Sequence, residues 1–258
     1  QDPYLLKGID PKKIAANNKS SSMALKNYYK YTMNDLNSWC VASIPTKAWA
    51  RRVFPDSSEE EAVEKLWDAI FKTVRMYEDN PVAAWEEHLK NIENKVNFLN
   101  EKNFKKLYYK SSNGTDLEIE LPEGHIWAGG GGKNSKGVFF VANMPTEEVF
   151  TLPHKYGVNG IVYSTKPLNY GGNLIDNFNI TFKDGKVVDF EAEEGYEVLK
   201  DLLNLDEGAK RLGEVALVPY DSPISKSNLI FYNTLFDENA SCHLALGKAY
   251  PTNLKGGT

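Results

Sequence analysis

The sequence from Gly213 to Tyr250, GEVALVPYDSPISKSNLIFYNTLFDENASCHLALGKAY, decides how the rest of the chain is interpreted. Among residues that are otherwise typical of a protein core, it places Glu214, Asp237, Glu238 and His243. A charged group is costly to bury unless it is paired or bound to a metal. A carboxylate on a strand, followed by a carboxylate and an imidazole a few residues apart, suits a divalent cation.

A second acidic segment lies upstream in NMPTEEVFTLP (143–153), where Glu147 and Glu148 stand beside apolar residues. Neighbouring residues of an extended segment point to opposite sides. One of the two glutamates can therefore face a site, while the other faces solvent or acts as an acid–base group. An exposed acidic turn is the structural alternative for this pair.

Structural alternatives exist for the other candidates too. Glu214 could be the exposed end of a strand, and His243 could be a core histidine with satisfied hydrogen bonds. Cys242 suits small core packing better than a role as a thiolate ligand. The spacing of five between Glu238 and His243 is not an ideal helical face match, and it is far from the HExxH pattern. The residues alone thus indicate a metal-dependent hydrolase only as a hypothesis, with Zn, Co, Mn or Mg as candidate ions.

Several other functional classes are disfavoured. The formal net charge of −5 argues against nucleic acid as a partner. The GGGGK run (129–133) lacks the spacing of a phosphate-binding loop, and no GxSxG nucleophile motif is present. No apolar run is long enough to span a bilayer. Two cysteines, Cys40 and Cys242, fit a reducing compartment, so we expect a soluble cytoplasmic protein without a membrane partner.

The first third of the sequence predicts helices, and residues 1–22 are expected to be a short helix and a loop, or an interdomain linker. MALKNYYKYTMNDLNSWC (23–40) has apolar residues at helical spacing, and VASI (41–44) reads as a short strand. Ser58 to Glu61 has the spacing of a capping box, and Asn80 followed by Pro81 is a second helix start. The two helices that follow, as far as about residues 74 and 100, form a hairpin that packs on a sheet. The residues at 86–88, Glu-Glu-His, are interpreted as its solvated face.

From Phe104 onward the apolar residues alternate, which is typical of strands. GVFFVANMP (137–145) and EVALVP (214–219) are predicted strands, and Asp184-Gly185 is predicted to be the turn of a hairpin. The segment from 228 to 250 predicts strand, loop and helix. The expected fold class is α+β, with a helical N-terminal third packed on a mostly antiparallel sheet. We expect a helical region at 1–104 and a catalytic domain at 105–258.

Four blocks resemble the M29 metallo-aminopeptidases, the group of aminopeptidase T and aminopeptidase S. They are ASIPTKAWARRVFP (42–55), NMPTEEVFTLP (143–153), RLGEVALVPYDSPIS (211–225) and LIFYNTLFDENASCHLALGKAY (229–250). The resemblance implies a thermophilic-metalloprotease-like catalytic domain in a cytoplasmic homodimer. It also implies an exopeptidase that removes N-terminal residues from peptides by attack of a metal-bound water, with two divalent ions (Zn, Co or Mg).

The resemblance also implies roles for individual residues. Glu148 is the expected first metal ligand, with Glu147 as the fallback ligand and as a candidate general base. Glu214 matches the bridging carboxylate, and Glu238 and His243 match further ligands. Tyr250 matches an active-site tyrosine that hydrogen-bonds the developing oxyanion; a structural aromatic residue is the alternative for that position.

The chain departs from the family pattern at both ends. The family carries a His-x-Asp pair downstream of the tyrosine and an α/β domain ahead of the helical region, whereas this chain ends at Thr258. We therefore expect an internal piece, incomplete at its C-terminus and inactive alone. One rival hypothesis is a non-catalytic binding or dimerisation module that has lost a complete metal site. Another is an endopeptidase or a different amidohydrolase, which cleavage of N-acetylated peptides would reveal.

Overall fold

The computed structural model describes residues 5–6, 8–9 and 11–257 and has the α+β architecture that the sequence predicts. Its helices are α1 (Pro11–Ala24), α2 (Lys26–Met33), α3 (Lys47–Val53), α4 (Glu59–Thr73), α5 (Pro81–Lys102), α6 (Tyr196–Leu203), α7 (Pro223–Ser227) and α8 (Thr234–Asp237). Short 3-10 turns occupy Glu238–Ala240 and Pro251–Asn253.

The strands lie between and after these helices. They are β1 (Lys106–Lys110), β2 (Asp116–Glu120), β3 (Ala128–Gly129), β4 (Gly132–Lys133), β5 (Phe139–Phe140), β6 (Val149–Thr151), β7 (Val158–Tyr163), β8 (Leu168–Tyr170), β9 (Asn173–Lys183), β10 (Lys186–Glu194), β11 (Leu212–Leu217) and β12 (His243–Leu246). The larger sheet has the order β1-β2-β7-β9-β10, with β8 paired to β9. The smaller sheet has the order β12-β11-β6-β3, and all of the strand pairs within these two sheets are antiparallel.

Two apolar clusters hold these layers together. The larger cluster contains buried residues of both sheets together with Ile92 and Leu99 of α5 and Leu199 of α6. The smaller cluster joins α3 and α4 to the segment around α7 and α8. At its centre the Trp49 indole donates a hydrogen bond to the carbonyl of Phe231. The second cluster therefore fixes α8, and with it the start of the DENASCH segment, against the helical region.

Several local predictions are confirmed. The Ser58 side chain accepts a hydrogen bond from the backbone N–H of Glu61, and the Asn80 side chain accepts one from Ala83, at the starts of α4 and α5. Asp184 and Gly185 form the two-residue turn between β9 and β10, both with positive φ. At Gly185 a Cβ atom would lie 2.0 Å from the carbonyl oxygen of Lys155, so only glycine fits there.

Three predictions about secondary structure are wrong. The segment 41–44 is not a strand; Val41 makes an isolated bridge to Asn143. Within 137–145, only Phe139–Phe140 is a strand. The residues after Ala240 form strand β12 instead of a helix, because His243 and its neighbours pair with β11. This tertiary pairing overrides the local preference of the sequence.

The helix predicted over 23–40 is also different in the structure. One helix, α1, ends at Ala24, and α2 runs from Lys26 to Met33. Of the residues at helical spacing in that segment, Leu25 and Tyr29 are both exposed. The prediction for residues 1–22, a short helix with a loop or a linker, lies partly outside the described residues, and α1 occupies much of the remainder. Among the described residues, no helix has the length and apolar character needed to cross a membrane.

Candidate metal centre

The register of the smaller sheet places selected polar residues on one of its faces. Glu214 pairs across the strands with Ala245, and Ala216 pairs with His243 on one side and with Phe150 on the other. Directly paired residues, and residues two apart on a strand, share a face. Glu214 and His243 therefore lie on the same face. The opposite face contributes to the larger apolar cluster through Val149, Val215, Leu217, Leu244 and Leu246.

Glu148 lies on the polar face as well, because it immediately precedes β6 and the side chains of this extended segment alternate in direction. Val149 faces the core and Phe150 faces the other way, so Glu148 falls on the side of Phe150. One ligand atom each from Glu148, Glu214 and His243 lies within 4.8 Å of the others. We call these three residues the acidic–imidazole cluster.

The cluster fits a divalent cation. Nε2 of His243 lies 2.8 Å from Oε2 of Glu148 and 3.8 Å from Oε1 of Glu214. Two atoms that share an ion at bonds of about 2.1 Å can be at most about 4.2 Å apart, and both distances satisfy this limit. Within the described part of the chain, Oε2 of Glu148 and Nε2 of His243 are buried without a hydrogen bond of acceptable geometry. Buried polar atoms of this kind need a partner, which a cation would supply.

The orientation of the His243 ring supports the same conclusion. Its Nδ1 lies 3.1 Å from the carbonyl oxygen of Ser241. In the neutral ring this hydrogen bond assigns the proton to Nδ1 and leaves the Nε2 lone pair directed at the carboxylates. A backbone acceptor behind the ring is a common way to orient a metal-binding histidine.

Burial and mutual charge shift the pKa values within the cluster. Burial, and then the charge of Glu148, raise the pKa of Glu214 to about 7, against a smaller opposing effect of His243. Burial alone would lower the pKa of His243, but its polar contact with Glu148 and the charges of Glu148 and Glu238 outweigh burial and raise it to about 9. Without a cation, the cluster therefore retains protons well above the ordinary pKa values of these groups.

Glu238 lies beside the cluster but outside the group whose ligand atoms are within 4.8 Å of one another. It is the first residue of the 3-10 turn that follows α8. Burial and the charge of Glu148 raise its pKa to about 7, and His243 acts in the opposite direction. The carboxyl group is thus close enough to interact electrostatically with all three members of the cluster.

Tyr250 also lies near the cluster, at the end of the segment that follows β12. Its ring centroid is 6.0 Å from that of Phe150, which is on the polar face of the sheet. Burial, and then the charges of Glu214 and Glu148, raise the pKa of the Tyr250 hydroxyl. The hydroxyl is therefore protonated at neutral pH and can donate a hydrogen bond.

The structure does not bring Glu147 into the cluster. Its Oε1 and Oε2 lie 2.8 Å and 3.1 Å from the two terminal nitrogens of Arg75. Nε2 of His88 is 3.8 Å from Oε2 of Glu147. Both carboxylate oxygens of Glu147 are thus engaged by the guanidinium group of Arg75.

Sequence reasoning missed three residues around Glu147. His88 was predicted on a solvated face, yet its side chain is only 11% exposed. Its Nε2 donates to the Thr146 carbonyl over 2.7 Å, and its Nδ1 accepts from Arg75 over 3.0 Å. Burial lowers the pKa of His88, in agreement with a neutral ring. Arg75 lies in a segment without a recognisable motif, and Asn239 lies within the block 229–250, in which Asp237, Glu238 and His243 attracted attention instead.

The chain is similar to several known proteins along its whole length. The model of the M29 family, described as thermophilic metalloprotease, matches residues 1–258. The chain is 59% identical to aminopeptidase 2 of Geobacillus stearothermophilus and 57% identical to aminopeptidase AmpS of Bacillus subtilis, in each case over 99% of this chain and 62% of the relative. The structure of wild-type AmpT from Thermus thermophilus matches with a TM-score of 0.93 and 45% identity, over 100% of this chain and 63% of that one. The chain thus spans less than two thirds of the length of these relatives.

Proposed function

This chain belongs to the M29 family of thermophilic metalloproteases, and from that membership we propose that it forms the metal-binding part of an aminopeptidase, which removes N-terminal residues from peptides. The relatives named above are described as aminopeptidases. The observation that carries the proposal is the convergence of Glu148, Glu214 and His243 on one sheet face, where buried ligand atoms of Glu148 and His243 make no hydrogen bond of acceptable geometry.

We assign the members of the cluster to a first divalent ion and Glu238 to a second. Three ligand atoms within 4.8 Å of one another suit a single ion. Glu238 stands apart from that group but interacts electrostatically with it, as a residue at a neighbouring ion would. Glu214, for which the resemblance implies the role of bridging carboxylate, would help to hold the ions. Oxygen donors with one imidazole suit Zn, Co or Mg.

The residues of the chain have distinct tasks in peptide hydrolysis. A bound divalent ion would polarise the scissile carbonyl and lower the pKa of a water molecule. Glu148, Glu214 and His243 would hold that ion, and the hydrogen bond to Ser241 would keep the imidazole in place. Tyr250 would donate its hydroxyl proton in a hydrogen bond to the oxyanion that develops at the carbonyl. Glu147, whose oxygens are engaged by Arg75, is assigned no part in proton transfer.

The remaining proposals concern organisation. We propose that residues 1–104 are a helical region and that 105–258 are the catalytic domain, although Arg75 and His88 reach from the first part to Glu147 of the second. We also propose a cytoplasmic homodimer that acts on peptides and not on nucleic acid. The exposed aromatic residues Tyr28 and Tyr31 of α2 favour a partner surface there, and two free cysteines are compatible with a reducing compartment.

The test is metal content and peptidase activity of the intact protein that contains this chain. The protein should bind Zn²⁺ or Co²⁺ and release the N-terminal residue from peptides with a free amino group, and a chelator should abolish turnover. N-acetylated peptides should not be cleaved. Cleavage of those peptides would favour an endopeptidase or another amidohydrolase, and absence of both metal and turnover would favour a non-catalytic module.

A further inference from the structure

A buried polar network holds Glu147 from two sides. On its side chain, the carboxylate receives two hydrogen bonds from Arg75, whose side chain is 14% exposed. Arg75 also donates to Nδ1 of His88, and its guanidinium lies 5.6 Å from the centroid of the Trp85 ring. Trp85 in turn donates to the carbonyl oxygen of Val74, so it is tied to the chain next to Arg75.

The backbone of Glu147 is held separately by Asn239. The amide N–H of Glu147 donates to Oδ1 of Asn239 over 2.7 Å. Nδ2 of Asn239 donates to the carbonyl of Leu235 over 3.1 Å, and the side chain is fully buried. Since Asn239 directly follows Glu238, one carboxamide connects the turn that carries Glu238 with the residue that precedes Glu148.

This buried network contributes little to the free energy of folding, which suggests that its role is to fix the positions of particular side chains. A buried ion pair contributes little net stability, because desolvation offsets its Coulombic attraction. Arg75 also adopts a positive φ of 61°, a conformation that is unfavourable for a residue other than glycine. The network does fix the directions of two side chains. Because the Glu147 side chain is held on one side of the extended chain, the Glu148 side chain points to the other side.

We propose that Arg75, His88 and Asn239 are positioning residues for the metal centre. By holding the side chain and the backbone N–H of Glu147, they fix the Glu148 carboxylate at its distance from His243 and Glu214. Asn239 also fixes the position of Glu238 relative to Glu148, because its carboxamide connects the turn that carries Glu238 to Glu147. This inference rests on the proposed function, because it requires that the acidic–imidazole cluster bind a cation.

The test uses Co²⁺ alone as the probe and compares two variants of the intact protein with a matched control. Asn239→Ala removes both hydrogen bonds of the carboxamide. Arg75→Lys keeps the positive charge but cannot form the two-pronged contact with Glu147. The control, Ile119→Val, shortens a fully buried side chain of β2 in the larger sheet and should lower the stability of the fold. Affinity is measured at a temperature at which circular dichroism shows each protein to be folded.

A positioning role and a merely structural role give different results. We expect Asn239→Ala and Arg75→Lys to weaken Co²⁺ binding about 10- to 100-fold and to change the visible spectrum of the bound ion. Ile119→Val should lower the melting temperature without either effect. Wild-type affinity and spectrum in both variants would overturn the inference while the proposed function stands. If the wild-type protein binds neither Co²⁺ nor Zn²⁺, the inference and the proposed function are both wrong. If Asn239→Ala does not fold, the result for Arg75→Lys alone decides the inference.

Discussion

Glu147 and Glu148 are adjacent and both buried, yet their carboxylates contact different partners. Oε1 of Glu147 lies 2.8 Å from a guanidinium nitrogen of Arg75, whereas Oε2 of Glu148 lies 2.8 Å from Nε2 of His243. The first contact is a pair of opposite charges that satisfies both partners. The second leaves buried ligand atoms without a hydrogen bond of acceptable geometry in the described chain, and a cation would give these atoms a partner.

The two glutamates should therefore respond differently to the same chemical change. Glu148→Gln replaces a charged ligand of the cluster with a neutral amide, and we expect metal affinity to fall more than about 100-fold, beyond the range typical of outer-shell residues. Glu147→Gln leaves Arg75 without its full counter-charge, and we expect a loss of about 2–4 kcal/mol of folding stability. Isothermal titration with Zn²⁺ and chemical denaturation of each variant measure the two effects.

The two variants serve as controls for each other. Glu147→Gln should weaken metal binding far less than Glu148→Gln does, because its carboxylate does not face the cluster. If instead Glu147→Gln abolished binding and Glu148→Gln left it intact, the assignment of the two residues would have to be exchanged.

Metal should stabilise the protein more at alkaline than at acidic pH. In the unfolded chain a glutamate loses its proton near pH 4.3, but folded, metal-free Glu214 and Glu238 keep theirs up to about pH 7. The stabilisation of the folded state by these two retained protons is therefore complete below the glutamate pKa of the unfolded chain. It is lost as the pH rises through about 7. His243 acts in the same direction between its unfolded pKa of about 6.5 and its folded value of about 9.

A bound cation removes this loss, because it takes the place of the retained protons. Differential scanning calorimetry with and without chelator should show a gap in melting temperature that widens from about pH 5 to about pH 8.5. Metal binding at neutral pH should also release protons, which titrations in two buffers of different ionisation enthalpy would detect. A gap that is constant over this range would mean that these groups do not bind the metal.

Asn100 should contribute to folding without affecting the metal centre. From α5 its side chain donates to the carbonyl of Trp127 over 3.0 Å and accepts the N–H of Trp127 over 2.8 Å, next to β3. Asn100→Ala leaves two backbone groups without their partner, so we expect a loss of about 1–3 kcal/mol in the free energy of unfolding. Asn97→Ala, at an exposed position of the same helix, is the control and should cost less than about 0.5 kcal/mol. Zn²⁺ affinity should be unchanged in both.

Much of the fold could be predicted because its signals are local. The starts of α4 and α5 depend on side chains three residues from the amides they cap, and the β9–β10 hairpin depends on two turn residues. The strand β12 could not be predicted, because it exists through its pairing with β11 and the sequence around His243 has no strong strand pattern. Local rules fail where distant segments decide the conformation.

The same distinction applies to the site. The acidic–imidazole cluster could be suspected because charged residues interrupt apolar segments. Which of the two adjacent glutamates faces the cluster could not be derived, since alternation fixes only that they differ. The structure distinguishes them through Arg75, 72 positions away in the sequence, and through Asn239, 92 positions away. Hydrogen bonds over such separations leave no periodic signal in the chain.

Tyr250 provides the most direct test of the chemistry. Burial, and then the charges of Glu214 and Glu148, raise the pKa of its hydroxyl, so that it stays protonated as a hydrogen-bond donor. If it stabilises the oxyanion, Tyr250→Phe in the intact protein should lower kcat about 100- to 1,000-fold and change KM little. Zn²⁺ content and melting temperature should remain those of the wild type, because the phenyl ring can keep its contact with Phe150. Tyr220→Phe, at a tyrosine that is 93% exposed, is the matched control and should retain full activity. Unchanged kcat in Tyr250→Phe, with metal bound, would show that the tyrosine is structural.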